Sequence, residues 1–350
     1  MAISTTESVY ETLRSRLSRV MPDFEIRLKA EIAEEIIDLK RRRNAVILAH
    51  NYMEPALFYS VPDYRGDSLE LSRMAATVEA EVIVFCGVRF MAETAKILSP
   101  DRTVLLPASG PAGCSLASSI TAADVRALKA RYPGIPVVAY VNTYADVKAE
   151  VDICCTSGNA VAVVESLDAD TVIFLPDEFL ARNVARETGR KILLARPGGE
   201  AAALPGPGAR GELIGWNGRC EVHELFTVED VETARAQFPG VVVLAHPECP
   251  PDVVAAADFS ASTSAMTRFV EESRAPHFLL LTECSMGDNI QAANPDKDML
   301  RLCSHRCPHM AEITLEDVRD ALLHDRQTIE LPEDIRSRAL ASLQRMIAIS

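Results

Sequence analysis

The feature that most constrains the fold is an internal repeat. Three short apolar runs, at residues 45–49, 137–141 and 241–245, are rich in β-branched residues and bounded by polar ones. That pattern predicts buried parallel strands rather than helices. Each run leads into a polar signature: His50-Asn51-Tyr52, Tyr140-Val141-Asn142 and His246-Pro247-Glu248. A hydroxyl-rich turn that opens a helical pattern follows in each case: Gly66-Asp67-Ser68, Thr156-Ser157-Gly158-Asn159 and Ser262-Thr263-Ser264. A second apolar strand comes next, at 82–85, 171–175 and 278–281. Strand, helix, strand thus recurs three times.

Cysteines fall into register with the repeat. The chain has 9 of them, and three, Cys114, Cys220 and Cys307, each follow the second strand of a unit. Seven residues after each stands a threonine, in Thr121-Ala122-Ala123-Asp124, Thr227-Val228-Glu229-Asp230 and Thr314-Leu315-Glu316-Asp317. Thr-x-x-Asp predicts a helix opened by a hydroxyl cap and a reciprocating carboxylate. Cys114 to Tyr140 and Cys220 to His246 are both 26 residues, whereas the spacing from Tyr140 to His246 exceeds that from His50 to Tyr140 by 106 − 90 = 16. The excess matches residues 196–211, a Pro/Gly/Ala-rich stretch that reads as an inserted loop.

The fold class expected is therefore α/β. Three pseudo-threefold-related α/β/α domains, each with a small parallel sheet, would surround a central active site. Units are expected at 44–112, 113–219 and 220–306. A helical segment at 1–43 precedes them, and a C-terminal helical segment at 307–350 carries the third cysteine. The basic run Lys40-Arg41-Arg42-Arg43 reads as the C-terminal end of the first segment's amphipathic helix, complementing its dipole.

In parallel α/β sheets ligands bind beyond the carboxyl ends of the strands. His50, Tyr52, Tyr140, Asn142, His246 and Glu248 would converge there, joined by one cysteine per unit. Ser68, Ser157, Ser262 and Thr263 stand where hydroxyls and helix N-termini bind anions. Such local donors would let a chain of net charge −14 take acidic ligands. The same acidity, with 5% aromatic content, argues against a nucleic-acid surface. No apolar run approaches the roughly 20 residues of a membrane span, and the N-terminus lacks a signal-peptide pattern. A cytoplasmic location is expected, with the cysteines as thiols. Three equivalent cysteines suggest a metal centre, and spacing leaves zinc or an iron–sulfur cluster open.

The ordered segments Ala49-His50-Asn51-Tyr52, Ala112-Gly113-Cys114-Ser115-Leu116, Phe174-Leu175-Pro176-Asp177, Trp216-Asn217-Gly218-Arg219-Cys220 and Ala245-His246-Pro247-Glu248-Cys249 resemble the quinolinate synthase (A protein) family. The likeness runs from about residue 30 to 320. It implies a [4Fe–4S] cluster held by Cys114, Cys220 and Cys307, with one iron left open as a Lewis acid. Cys303 rivals Cys307, and the Cys-to-Thr-x-x-Asp register selects Cys307. Cys86, Cys249 and Cys284 read as buried thiols, and Cys154-Cys155 as packing.

The activity implied is condensation of iminoaspartate with dihydroxyacetone phosphate to quinolinate, phosphate and two waters, with L-aspartate oxidase supplying the imine for NAD biosynthesis. Tyr52 and Glu248 are the candidates for acid/base work. His50, Tyr140, Asn142 and His246 would orient substrate, and Ser68, Ser157, Ser262 and Thr263 would anchor carboxylates and phosphate. His50 and His246 stand with the catalytic set. His223 is a neighbour of Cys220 of open role, and His277, His305, His309 and His324 read as surface or structural. Two alternatives remain at this point: a zinc-dependent lyase or hydrolase on the same scaffold, and an iron–sulfur sensor of oxygen or iron, for which no output module is visible.

Overall fold

The β-branched runs form strands because each is buried on both faces, as parallel strands covered by helices are. The computed structural model describes residues 8–195 and 211–349. The first sheet holds β1 (Ala45–His50), β2 (Tyr64–Gly66), β3 (Val82–Cys86) and β4 (Thr103–Leu105), in the order β2-β1-β3-β4. The second holds β5 (Val137–Tyr140), β6 (Ile153–Cys155), β7 (Thr171–Leu175), β8 (Lys191–Ala195) and β9 (Glu212–Trp216), in the order β6-β5-β7-β9-β8. The third holds β10 (Val242–Ala245), β11 (Phe259–Ser260), β12 (His277–Leu281) and β13 (Asp298–Arg301), in the order β11-β10-β12-β13. All neighbouring strands are parallel. The central register repeats: Ala49 faces Cys86, Ala139 faces Leu175, and Ala245 faces Leu281.

The three capping boxes form as the Thr-x-x-Asp motif predicts. Thr121, Thr227 and Thr314 each accept from the backbone N–H of the aspartate three residues on, whose carboxylate accepts from the threonine N–H. The first two helices, Ala122–Arg131 and Val228–Gln237, lead into β5 and β10. Among the described residues the third, Leu315–His324, has no strand after it. It returns to the first sheet instead, packing against β3 and the N-terminal helix Asp23–Arg42. Ile329 N–H then bonds Val104 O at 2.9 Å beside β4. The repeat is therefore cyclic: the last unit's helix covers the first unit's sheet.

A further repeated device, unread in the sequence, secures each first strand. Asp63, Asp152 and Asp258 donate their own N–H to Ile47, Val137 and Val243 O at 2.9, 3.0 and 2.9 Å. Each carboxylate accepts the N–H of that same residue at 2.8 Å. The neighbouring edge strands are only two or three residues long, so the side chain satisfies a strand donor that the edge strand does not reach. Asp152→Ala is expected to leave the Val137 N–H unpaired at a cost of about 1–3 kcal/mol, read as a lower urea midpoint. Asp152→Asn, which keeps an acceptor oxygen, should lose less.

The extra length of the second unit is more than a loop. It includes the added edge strand β8, with β9 inserted between β7 and β8. Residues 196–210 of the sequence-predicted insert lie outside the described residues. Gly211 belongs to the sheet border, where its N–H bonds Asp170 O at 3.0 Å. Among the described residues no helix is long and apolar enough to cross a membrane.

Candidate active site

Beyond the carboxyl ends of the strands lies a cleft. The strand-end residues His50, Tyr52, Tyr140, Asn142, His246 and Glu248 all line it. So do the hydroxyl residues Ser68, Ser157 and Thr263, and the three register cysteines Cys114, Cys220 and Cys307. Ser262 is not on the wall. It caps the helix Thr263–Glu272 by accepting from Ala265 N–H, and it lies against Gly158.

Glu248 is the hub. Its Oε1 accepts from the Tyr140 hydroxyl and, at 3.4 Å, from Asn142 Nδ2, while its Oε2 lies 2.9 Å from His223 Nδ1. His223 Nε2 meets Thr282 Oγ1 at 3.0 Å, and Thr282 Oγ1 meets the Tyr52 hydroxyl at 2.6 Å. A continuous hydrogen-bonded chain thus joins the two sequence-chosen acid/base candidates, Tyr52 and Glu248. Its middle members, Thr282 and His223, were not among them. Thr282 stands one residue past β12, a second strand, whereas the strand-end candidates were all taken after the first strands. His223 is buried, and its ring stacks on His246 with centroids 4.6 Å apart.

Electrostatics separates the roles of these groups. Burial alone would raise the Glu248 carboxyl, but the His223 ring and the Tyr140 hydroxyl outweigh it and hold the group below the ordinary carboxylate range. Burial pushes His50 down to about 4. Burial and the neighbouring His223 push His246 down to about 3. Both rings are therefore neutral at pH 7. His50 Nδ1 accepts from Tyr52 N–H and His246 Nδ1 from Glu248 N–H, each at 3.3 Å. That bond assigns the proton to Nε2, so each ring keeps one N–H donor for a ligand.

The anion-binding expectation needs a correction at the first turn. Asp67 there already accepts from Leu69 and Glu70 N–H, so these backbone donors are occupied by the protein's own carboxylate. What Ser68 offers a ligand is its hydroxyl. A second correction concerns His309, read from the sequence as surface or structural. It lines the cleft, with Nε2 3.0 Å from Glu221 Oε1. A histidine two or three residues after a register cysteine, as in Cys220–His223 and Cys307–His309, was the available signal.

Cysteine usage also departs from the all-thiol expectation. Cys284 and Cys303 form a disulfide, their Cα atoms 5.1 Å apart. The turn after β13 brings Cys303 back over the start of the helix Cys284–Ala293, so Cys284 is not a free buried thiol. Cys303 is thereby engaged away from the cleft wall, while Cys307 is free and lines it. Burial raises Cys114 to about 12 and Cys307 to about 11, and pushes Cys220 well above the usual thiol range. Such thiols stay neutral unless a cationic centre bonds them. Among the described residues, the group whose ligand atoms all lie within 4.8 Å of one another is Cys220, His223 and Glu248, not the three cysteines.

Comparison with known proteins decides the family. A profile of the Quinolinate synthetase A protein family matches residues 34–348. The chain is 51% identical over 347 residues to Quinolinate synthase 2 of Mesorhizobium japonicum, covering 99% of this chain and 100% of that protein. The chain belongs to the quinolinate synthetase A family. It is also 51% identical over 338 residues to Quinolinate synthase of Agrobacterium fabrum, covering 97% and 91% of the two chains. With Quinolinate synthase of Xylella fastidiosa it shares 52% over 316 residues, covering 90% and 86%. Membership of the quinolinate synthetase A family makes this chain an enzyme of NAD biosynthesis. The matched span contains every residue that lines the cleft.

Proposed function

We propose that this enzyme condenses iminoaspartate with dihydroxyacetone phosphate to form quinolinate, phosphate and two waters. The supporting observation is the convergence of Cys114, Cys220 and Cys307, from three separate loops, on a cleft walled by the Glu248 network. The donor set fits a [4Fe–4S] cluster. All three sulfurs face one cavity, yet they are too widely spread as a group to share a single ion at bond lengths near 2.3 Å. Bound there, the cluster would supply an open iron as a Lewis acid for loss of a hydroxyl.

The chain's own residues carry the rest. Forming the pyridine ring requires protons to leave carbon and nitrogen and to reach departing oxygens. Glu248 is held in its proton-accepting form, as a carboxylate. Tyr52 is held in its proton-bearing form, because burial and Glu248 push its hydroxyl well above the usual range. Thr282 and His223 offer a path between them. The Nε2 donors of His50 and His246, with Tyr140 and Asn142, would orient carbonyl and carboxylate groups. Ser68, Ser157 and Thr263 would hold the acidic ends, with Ser262 acting on them through the turn it caps. L-aspartate oxidase is the proposed source of the imine, the cytoplasm the proposed location, and 44–112, 113–219 and 220–306 the proposed units.

The tight Cys220–His223–Glu248 group favours a second reading, a single zinc ion with that donor set. Its members already satisfy one another by hydrogen bonds, which explains their proximity without an ion. Anaerobic purification followed by iron, sulfide and zinc counting separates the two. About four irons with matching sulfide and absorbance near 400 nm supports the cluster; one zinc without sulfide overturns it. Quinolinate should form only when both substrates are supplied.

A further inference from the structure

Tyr52, Asn142 and Glu248, two or three positions past the first strand of their sheets, each sit on a short tip whose flanking peptide carbonyls are gripped by one buried donor. Asn289 Nδ2 donates to Asn51 O at 3.1 Å and Met53 O at 2.9 Å, on either side of Tyr52. Asn183 Nδ2 donates to Pro247 O at 2.9 Å and Cys249 O at 3.2 Å, on either side of Glu248. Lys148 Nζ donates to Val141 O at 2.9 Å and to Thr143 O, on either side of Asn142. All three donors are buried, Lys148 and Asn183 almost completely.

The two asparagines occupy one register. Each is five residues into the helix that follows the central pair of its sheet, Glu178–Glu187 for Asn183 and Cys284–Ala293 for Asn289. Each reaches out of its own sheet's layer: from the second sheet to the tip of the third, and from the third to the tip of the first. The equivalent position in the first repeat is Thr94, whose hydroxyl is turned back to Phe90 O. There Lys148 makes the grip instead, and Glu93, one residue before Thr94, accepts from Ala145 N–H at 2.9 Å just past the same tip.

Burial of an amide oxygen without a partner points to positioning rather than routine packing. Asn183 Oδ1 and Asn289 Oδ1 are both buried and unbonded. That costs stability, yet a leucine of similar volume would leave both tip carbonyls without their donor. Only the paired donor of the NH2 group accounts for an amide at these sites, because it alone bonds two carbonyls at once.

We infer that Asn183 and Asn289 are positioning residues for Glu248 and Tyr52, each clamping from a neighbouring unit the peptide that aims the reacting side chain. The inference rests on the catalytic reading of Glu248 and Tyr52 given above. It makes two of the three tips depend on a helix from another unit, with Lys148 holding the third from within its own.

The test uses the cluster-loaded enzyme. Asn183→Ala is expected to lower kcat about 100-fold, the scale of a misplacement near 1 Å, with KM moved less than about threefold and absorbance near 400 nm retained. The decisive measurement is a double-mutant cycle. Asn183→Ala added to Glu248→Gln should cost nothing beyond Glu248→Gln alone, and Asn289→Ala should behave likewise with Tyr52→Phe. Asn294→Ala, a buried amide that bonds only within its own helix end, should lower the thermal midpoint and leave kcat within about threefold. Hydrogen exchange of residues 246–250 should speed up in Asn183→Ala, and in Asn183→Ser if the alanine variant is insoluble. Multiplying losses in the cycle, wild-type kcat, or unchanged exchange overturns the clamp. If Glu248→Gln itself turns over normally, the catalytic reading of Glu248 falls, and the exchange measurement still decides the clamp.

Discussion

Cys307→Ala is expected to yield a soluble protein without a cluster: no absorbance near 400 nm, background iron and sulfide, and quinolinate formation reduced at least ~10³-fold. Cys114→Ala and Cys220→Ala should match it, because each of the three sulfurs enters the cleft from a different loop and no other described free thiol lines that wall. Cys303→Ala is the contrasting variant. Cys303 is joined to Cys284 and lies off the cleft, so its loss should leave iron content and turnover intact. A full cluster in Cys307→Ala would show that the third ligand had been misassigned. Four irons in Cys303→Ala with none in Cys307→Ala would support the assignment and the loop geometry together.

Glu248→Gln is expected to keep the cluster and lose turnover by about 10³-fold, within the span of general acid/base catalysis. The amide preserves the shape of the side chain and a hydrogen bond from Tyr140, but it cannot take up a proton. Tyr52→Phe should fall by a similar factor, since it removes the hydroxyl at the other end of the Thr282–His223 chain. The quantity to measure is single-turnover quinolinate formation under anaerobic conditions, alongside absorbance near 400 nm. Normal turnover with an intact cluster would remove the substituted residue from the mechanism. Loss of the cluster in Glu248→Gln would instead point to the carboxylate as a metal ligand, as the zinc reading requires.

Much of this architecture can be read along the chain because its determinants are local. A run such as 171–175 is apolar on both faces, so it must be a covered strand. The threonine and aspartate that follow each register cysteine need only one turn of helix to close a capping box, and all three boxes form. The strand-end residues follow from the same logic, since a parallel strand delivers its last side chains to the binding edge. Features that depended on non-local partners stayed hidden. β11 is two residues long and β2 three, too short for any periodicity to show, and they exist because they pair with β10 and β1. β8 went unread just before the insert because its side chains are mostly half-buried at a sheet edge.

The site divides in the same way. Repetition placed Cys114, Cys220 and Cys307 in one class, and position after a strand placed His50, Tyr52, Tyr140, Asn142, His246 and Glu248 in another. Nothing along the chain could say that His223 bonds Glu248, that Thr282 links His223 to Tyr52, or that Cys303 pairs with Cys284. These contacts join segments brought together only when three sheets close around one axis. The sequence by itself determined the units, their caps and the residues at their strand ends, because each is set within a few residues of chain. The tertiary structure decided which thiol faces the cleft, which hydrogen bonds connect the acid to the base, and which helix holds which tip. Those outcomes depend on distances between parts of the chain that no local pattern encodes.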